Sequence, residues 1–349
     1  VKVDTLIVGQ GLAGSLLAWQ LLDRGQRLLV VDRDETTSSS KVAAGLVTPL
    51  SGASFLPSDG LEARLNFARR FYWELEERLG IRCFHHLRIA RLFRDAKEAQ
   101  RWEEAAAQAP EKAGKYAEPL EVAPGLLRCE HGGIEMKEGG WLDLPAFLEA
   151  TRQVLLERAA YAIAQVDPDE VAASPGGVRW KNIEAKALVF AEGHRAAGNR
   201  FFPWLRMHAA AGDILRLVIP ELAGETRIVN KGGWLLPLGG GRFRAGSTYR
   251  HDFDSPATLA EGREAVLEKL RAITPCEAAV ERHESGIRPI IRRSQIFLGS
   301  DPATPRVHLF NGLGSKGVLN GPRYAAALAD HLVGDLPLPS EADLRRQLL

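Results

Sequence analysis

The sequence has almost no cysteine, no long apolar run and no excess of either charge. Its three cysteines, Cys83, Cys129 and Cys276, are far apart and odd in number. That pattern excludes a disulfide framework and a zinc site and reads as ordinary reduced thiols. No stretch approaches the roughly 18 consecutive apolar residues that span a bilayer. The chain enters an apolar strand almost at once, leaving no room for a signal peptide, so a cytoplasmic protein is expected. Lys and Arg number 45 against 44 Asp and Glu, a formal charge of +1, which gives no global field to draw nucleic acid. No internal repeat is evident, and the one biased tract is the short run Thr36 to Ser40.

What is present is an average globular composition, 45% hydrophobic and 26% charged, over 349 residues. That length is too great for one compact core and comfortable for two domains. The opening VDTLIVGQGLAGSLLAWQLLDRGQRLLVVDRD reads as strand (Thr5 to Val8), helix (Ser15 to Leu22) and strand (Leu28 to Val31). Gly9, Gly11 and Gly14 stand between the first strand and the helix in the spacing of a dinucleotide fingerprint. Gly9 permits the tight turn, Gly11 the approach of a pyrophosphate to backbone N–H groups, and Gly14 the close packing of helix on strand. Leu12 and Ala13 lie at the helix N-terminus, where the dipole favours phosphate. Asp32 ends the second strand, placed to accept both hydroxyls of an adenosine ribose, with Arg33 beside it. The fingerprint serves NAD and FAD alike. The small-residue loop SSSKVAAG that follows, containing Ser40, Ala43, Ala44 and Gly45, suits the approach of a bulky ring system.

Apolar residues at 61, 65, 68, 71, 72, 75 and 79 predict an amphipathic helix. A strand over Leu87 to Phe93 and a polar helix over Lys97 to Gln108 are expected next, then a helix opened at Pro145. KALVFAEG reads as a sheet strand delivering Ala191, Glu192 and Gly193 to the cofactor. GDILRLVI, GWLLPLGGG and RFRAGSTYR read as antiparallel strands, the last two a hairpin through Gly239 to Gly241. A helix follows from Ala257 to Ile273. Gly312, Gly314 and Gly317 precede a helix expected to open at Pro322. His251 reads as structural. His85 and His86 point to opposite faces of a strand and make no metal pair, and no metal site is expected.

The ordered set VGQGLAGS with Asp32, SSSKVAAG, GGWLDLPAFLEA, ALVFAEG, GWLLPLGGGRFRAGSTY, SGIRPI and FNGLGSKGVLNGP resembles the D-amino-acid-oxidase-like (DAO) family of flavoenzymes, glycine oxidase among them. In FARRFYWEL, GGWLD and AEGH the chain is most similar to the oxidase half of the bifunctional enzymes that complete 5-methylaminomethyl-2-thiouridine in tRNA. The resemblance implies an α/β and α+β fold: a Rossmann-like FAD-binding domain with a second, antiparallel-sheet substrate domain. It implies a discontinuous FAD-binding domain of residues 1–80, 141–205 and 285–349, and a substrate domain of 81–140 and 206–284. It implies non-covalent FAD held by Gly9, Gly11, Leu12, Ala13, Gly14, Asp32, Arg33, Ser40, Ala43, Ala44, Gly45, Ala191, Gly193, Gly312, Gly314, Ser315, Lys316 and Gly317. It also implies oxidation of a small amine or amino acid by hydride transfer to flavin N5, with oxygen or a quinone as electron acceptor.

In that setting Arg288 would hold the substrate carboxylate with two parallel hydrogen bonds. Lys316 would offset the negative charge of the reduced flavin. Trp234 and Tyr249, flanking the hairpin, are candidates to line the substrate pocket. Where many relatives place an acidic residue, glycine and proline after this motif, Arg292 and Arg293 stand here. Two alternatives accompany the amine-oxidising reading. One is the same oxidation on a tRNA uridine, suggested by the arginines near 64–70, 195–206 and 288–293 and opposed by the near-zero net charge. The other is a flavin subunit of an electron-transfer complex.

Overall fold

The structure is a computed structural model that describes residues 1–52, 54–251, 259–291, 296–300 and 302–347; Arg292 and Arg293 lie outside them. The opening unit forms as its pattern indicates: strand Lys2–Val8, helix Leu12–Asp23, strand Leu28–Asp32. Lys2–Val8 lies between Leu28–Asp32 and Ile183–Phe190, parallel to both. Val307–Asn311 adds in parallel beside Ile183–Phe190, and Tyr161–Ile163 beside Leu28–Asp32. Lys2–Val8 and Ile183–Phe190 in their carboxyl halves, and Leu28–Asp32 and Val307–Asn311 nearly throughout, are buried on both faces, which is why they read as continuous apolar runs. Their carboxyl ends, at Val8, Asp32, Phe190 and Asn311, all finish on the edge where the cavity opens. A hairpin of Ala172–Ser174 and Gly177–Trp180 and the strand Phe297–Ser300 pair antiparallel at the margins.

The second sheet has the order 279–291, 207–218, 242–246, 234–239, 228–230, 89–92, 133–136, 117–119. It is antiparallel except where Ile228–Asn230 runs parallel to Ile89–Leu92. Its long pair, Met207–Val218 against Ala279–Ile291, carries Arg288 opposite Ala210. One face is covered by the helix Ala260–Ile273, whose Val266, Leu270 and Ile273 pack on Leu215, Leu217, Phe243 and Ala245. The other face, with Gly212, Ile214, Gly246 and Arg288, lines the cavity. A three-stranded sheet of Leu46–Val47, Gly140–Leu142 and Phe84–His86 lies between the two.

Two sequence expectations shift and one stands. The strand read over Leu87 to Phe93 is shorter, Ile89–Leu92 in the second sheet, and a separate strand, Phe84–His86 in the small sheet, precedes it. The helix over 61–79 stands as Leu61–Leu79, bounded by Gly60 and Gly80 in the left-handed conformation. The last long helix does not open at Pro322 but at Gly317, and runs to Gly334 with the proline inside it. Pro322 has no N–H to give the carbonyl four residues back, that of Val318. The Tyr72 hydroxyl, fully buried on the neighbouring helix, donates to that carbonyl at 3.0 Å instead. This helix also crosses Leu12–Asp23 closely: a Cβ at Gly321 would meet Leu16 at 2.5 Å. Among the described residues no helix is long and apolar enough to cross a membrane, and no cluster of three metal-ligand side chains occurs.

Candidate active site

A cavity of about 1210 Å³ runs from the carboxyl edge of the first sheet to the inner face of the second. It exceeds the roughly 300–1,000 Å³ of small-ligand sites, leaving room for a dinucleotide and a substrate together. At its nucleotide end Gly9 has φ +103°, and a Cβ there would stand 2.5 Å from the Ala191 carbonyl oxygen. A Cβ on Gly14 would stand 1.9 Å from the Gly9 carbonyl oxygen, so the helix reaches its position only with glycine there. Gly14 thus sets the packing and does not itself line the cavity, whereas Gly9, Gly11, Leu12 and Ala13 do. The N-cap Gly11 gives no side-chain cap and the first turn holds no acid, so apart from the Leu12 N–H the helix end stays open to an anion.

Asp32 is fixed at the strand end: one carboxylate oxygen accepts from the Gln10 N–H at 2.6 Å, the other from the Asp34 N–H at 2.7 Å. A carboxylate offers about four acceptor positions, so ribose hydroxyls still find partners. Arg33, also lining the cavity, pairs with Glu35 at 3.7 Å. The Ser40 hydroxyl accepts from the Leu12 N–H at 3.0 Å, locking the SSSKVAAG loop to the glycine turn. In that loop Ala43, Ala44 and Gly45 face the cavity, and Gly45, at φ +68°, leaves 2.1 Å between an added Cβ and the Leu142 carbonyl oxygen.

Two further segments close the nucleotide end. The turn Ala191 to Gly193 is bound to the last strand by Asn311, whose side-chain amide donates to the Gly193 carbonyl at 2.8 Å. Glu192 in that turn is half-buried; burial pushes its carboxyl up to about 7, against a lowering hydrogen bond from Asn199. Gly312 and Gly314 both take positive φ, and with Ser315, Lys316 and Gly317 they line the cavity; Ser315 and Lys316 are exposed.

The second sheet supplies the other end. Arg288 lies with its guanidinium carbon 4.2 Å from the ring centroid of Tyr249, an exposed side chain at the cavity rim. Its Nη1 is buried and has no hydrogen-bond partner among the described residues. Gly212 makes room for the group, since a Cβ there would stand 2.6 Å from Nη2. Trp234 lines the same wall, its ring 2.7 Å from where a Cβ on Gly246 would sit. An unpartnered buried guanidinium nitrogen in a cavity is costly unless an anion occupies it. His251 is exposed and outside the lining.

Sequence reasoning missed what holds these groups. Thr248 and Arg250 both bond the fully buried Asp213 carboxylate, at 2.6 and 3.1 Å, while Arg250 and Ala211 exchange backbone hydrogen bonds. Alternation then turns Tyr249, between them, to the opposite face and over Arg288. Arg244 crosses from the second sheet to the carbonyls of Val42 and Ala43, and Ile287 donates to the Thr37 carbonyl at 2.9 Å, so the strand of Arg288 and the cofactor loop form one body. Lys269 reaches the cavity and donates to the Ser247 carbonyl at 2.6 Å. Each contact joins residues far apart in the chain; the one local sign is Gly212 after three alanines, a strand stripped of side chains beside a bulky neighbour.

The family model described as DAO, FAD dependent oxidoreductase, matches residues 4–331. Among curated proteins the tRNA 5-methylaminomethyl-2-thiouridine biosynthesis bifunctional protein of Aeromonas hydrophila is 26% identical over 390 aligned positions, covering 99% of this chain and 58% of that protein. The chain thus spans little more than half the length of that relative. Among solved structures, iminodiacetate oxidase from Chelativorans sp. BNC1 superposes with a TM-score of 0.79 at 21% identity, covering 97% of this chain and 98% of its own. Glycine oxidase from Geobacillus kaustophilus gives a TM-score of 0.79 at 21% identity, with 96% and 95% covered. At these identities the superpositions establish the fold.

Proposed function

This chain belongs to the FAD dependent oxidoreductase (DAO) family, and on that premise we propose that it oxidises the C–N bond of a small amine or amino acid bearing a carboxylate. Its cofactor is FAD. Bound FAD supplies the acceptor for a hydride leaving the carbon beside the amine nitrogen. A neutral amine can lose that hydride without a strong base, so what the protein contributes is binding, orientation and charge. The open helix end behind Gly11 would hold the pyrophosphate, and Asp32 the ribose. The loops Ser40 to Gly45 and Gly312 to Gly317 would hold the ring system, with Lys316 beside its polar edge. On this reading a discontinuous cofactor unit would carry the FAD and a unit built on the second sheet would carry the substrate.

The observation that carries the reading is Arg288: a guanidinium in the cavity, braced by Tyr249, with buried Nη1 lacking a partner among the described residues. A substrate carboxylate supplies that partner in a bidentate geometry. Anaerobic mixing of the FAD-loaded protein with glycine, N-alkyl glycines, D-amino acids and L-proline tests it. Bleaching of the flavin bands by at least one carboxylate-bearing amine is expected. No bleaching across the panel would contradict the reading and favour a flavin subunit of a larger electron-transfer assembly.

A second reading places the same oxidation on a carboxymethylaminomethyl-uridine in tRNA. Its support is the Aeromonas hydrophila relative, named for biosynthesis of a modified tRNA uridine. Salt-sensitive gel-shift binding of tRNA is its requirement, and absence of such binding eliminates it.

A further inference from the structure

The cations of the cavity are unevenly matched. Arg33 and Arg195 meet Glu35, Lys41 meets Asp34, and Arg91 and Arg94 share Glu98. Lys269 and Arg288 line the same cavity and make no ion pair among the described residues, Glu268 acting on Lys269 only through space. Lys316 is also unmatched, but it is exposed and belongs to the glycine loop at the first sheet.

Lys269 enters the cavity from behind the second sheet. It sits on the helix Ala260–Ile273, which covers the outer face. Gly233 lets its stem pass: a Cβ there would stand 3.0 Å from the lysine Cβ and 3.4 Å from its Cδ. The ammonium then donates to the carbonyl of Ser247, two residues from Tyr249. An ammonium has three donors, and one is used. The group is half-buried, and burial pushes its pKa down, the nearby Arg288 guanidinium adding to the effect. Two like charges held close in a partly dry cavity repel. Such an arrangement is relieved when a ligand brings two negative charges.

We propose that Lys269 is a second anion anchor, and that the substrate is accordingly an amine carrying two carboxylates, one bound at Arg288 and the other at Lys269. This rests on the reading of Arg288 as the carboxylate anchor. It makes Lys269 a specificity-determining residue that selects a dicarboxylic amine over a simple amino acid. Both cations lie inside the cavity, on a chain of net charge +1, which favours a small dianion over a polyanion.

The test uses the FAD-loaded protein and two sulfur analogues that cannot form an imine, thiodiacetate and (methylthio)acetate. Their dissociation constants are measured by perturbation of the flavin absorption bands and by calorimetry. Wild type is expected to bind the diacid about tenfold more tightly than the monoacid, the worth of one charged hydrogen bond. Lys269→Gln keeps a donor for the Ser247 carbonyl but not the charge, and is expected to bring the two constants within about twofold; Lys269→Arg keeps the preference. A wild-type ratio near one, or a ratio unmoved in Lys269→Gln, overturns the second anchor. Salt-sensitive tRNA binding lost in Lys269→Gln, without any preference for the diacid, assigns Lys269 to phosphate and also overturns it. Arg288→Ala should weaken both ligands; if it affects neither, or neither binds wild type, the carboxylate-anchor reading fails and the second anchor with it.

Discussion

Glu192 is the cavity residue whose protonation differs most from its surroundings in water. Burial raises its carboxyl from 4.5 to about 7, outweighing the hydrogen bond from Asn199. With the folded value raised, the native state holds the proton where the unfolded chain releases it. The contribution to stability is therefore full below pH 4.5 and lost as pH rises to about 7. In FAD-free protein, Glu192→Gln should remove that slope. Its melting temperature relative to wild type is expected to climb between pH 4.5 and 7, by an amount equivalent to about 1 to 3 kcal/mol. A difference that stays constant over this range would show that the carboxyl is not perturbed. Glu192 stands out in the sequence as the one acid in a small-residue turn, and its partner Asn199 is only seven residues on. The place of Arg288 and the glycine turn at the cavity was legible for the same reason, since their signal is contained in a few adjacent residues. Lys269, Arg244 and Asp213 were not. Each does its work on a residue 22 to 202 positions away, and nothing local separates a buried, bonded charge from a solvated one.

At the level of elements, strands buried on both faces and helices with clear periodicity emerge where the pattern places them. Elements whose limits depend on tertiary contacts do not. Pro322 is the informative case. Proline reads as a helix start because its missing N–H is harmless there, yet the helix begins five residues earlier because Tyr72 supplies the donor the proline lacks. Tyr72→Phe should leave the Val318 carbonyl buried and unpaired, at a cost of about 1 to 3 kcal/mol. Pro322→Ala restores the N–H in place. In that background Tyr72→Phe is expected to cost less than half as much, which a urea-denaturation double-mutant cycle measures directly. Effects additive to within about 0.3 kcal/mol would mean that the hydroxyl does not compensate the proline. The short strands at the sheet margins, three or four residues each, were missed because their pairing partners define them more than their own composition does.

Across the whole molecule, three segments distant in sequence meet at one edge of the first sheet, and the second sheet closes over them with Arg288 on its inner face. The clamp of Thr248 and Arg250 on Asp213, the bridge from Arg244 to Val42 and Ala43, and the link from Ile287 to Thr37 fix the distance between the loop over 37–45 and the strand that carries Arg288. Orientation of this kind is what hydride transfer demands of a protein. The most direct test is the anaerobic reduction of bound flavin, followed against substrate concentration in wild type and Arg288→Ala. For a carboxylate-bearing amine, the half-saturating concentration should rise about 30-fold or more in the variant, with the protein still yellow and the response to an uncharged amine unchanged. A half-saturating concentration that does not move would contradict the assignment of Arg288 as the group that holds the substrate.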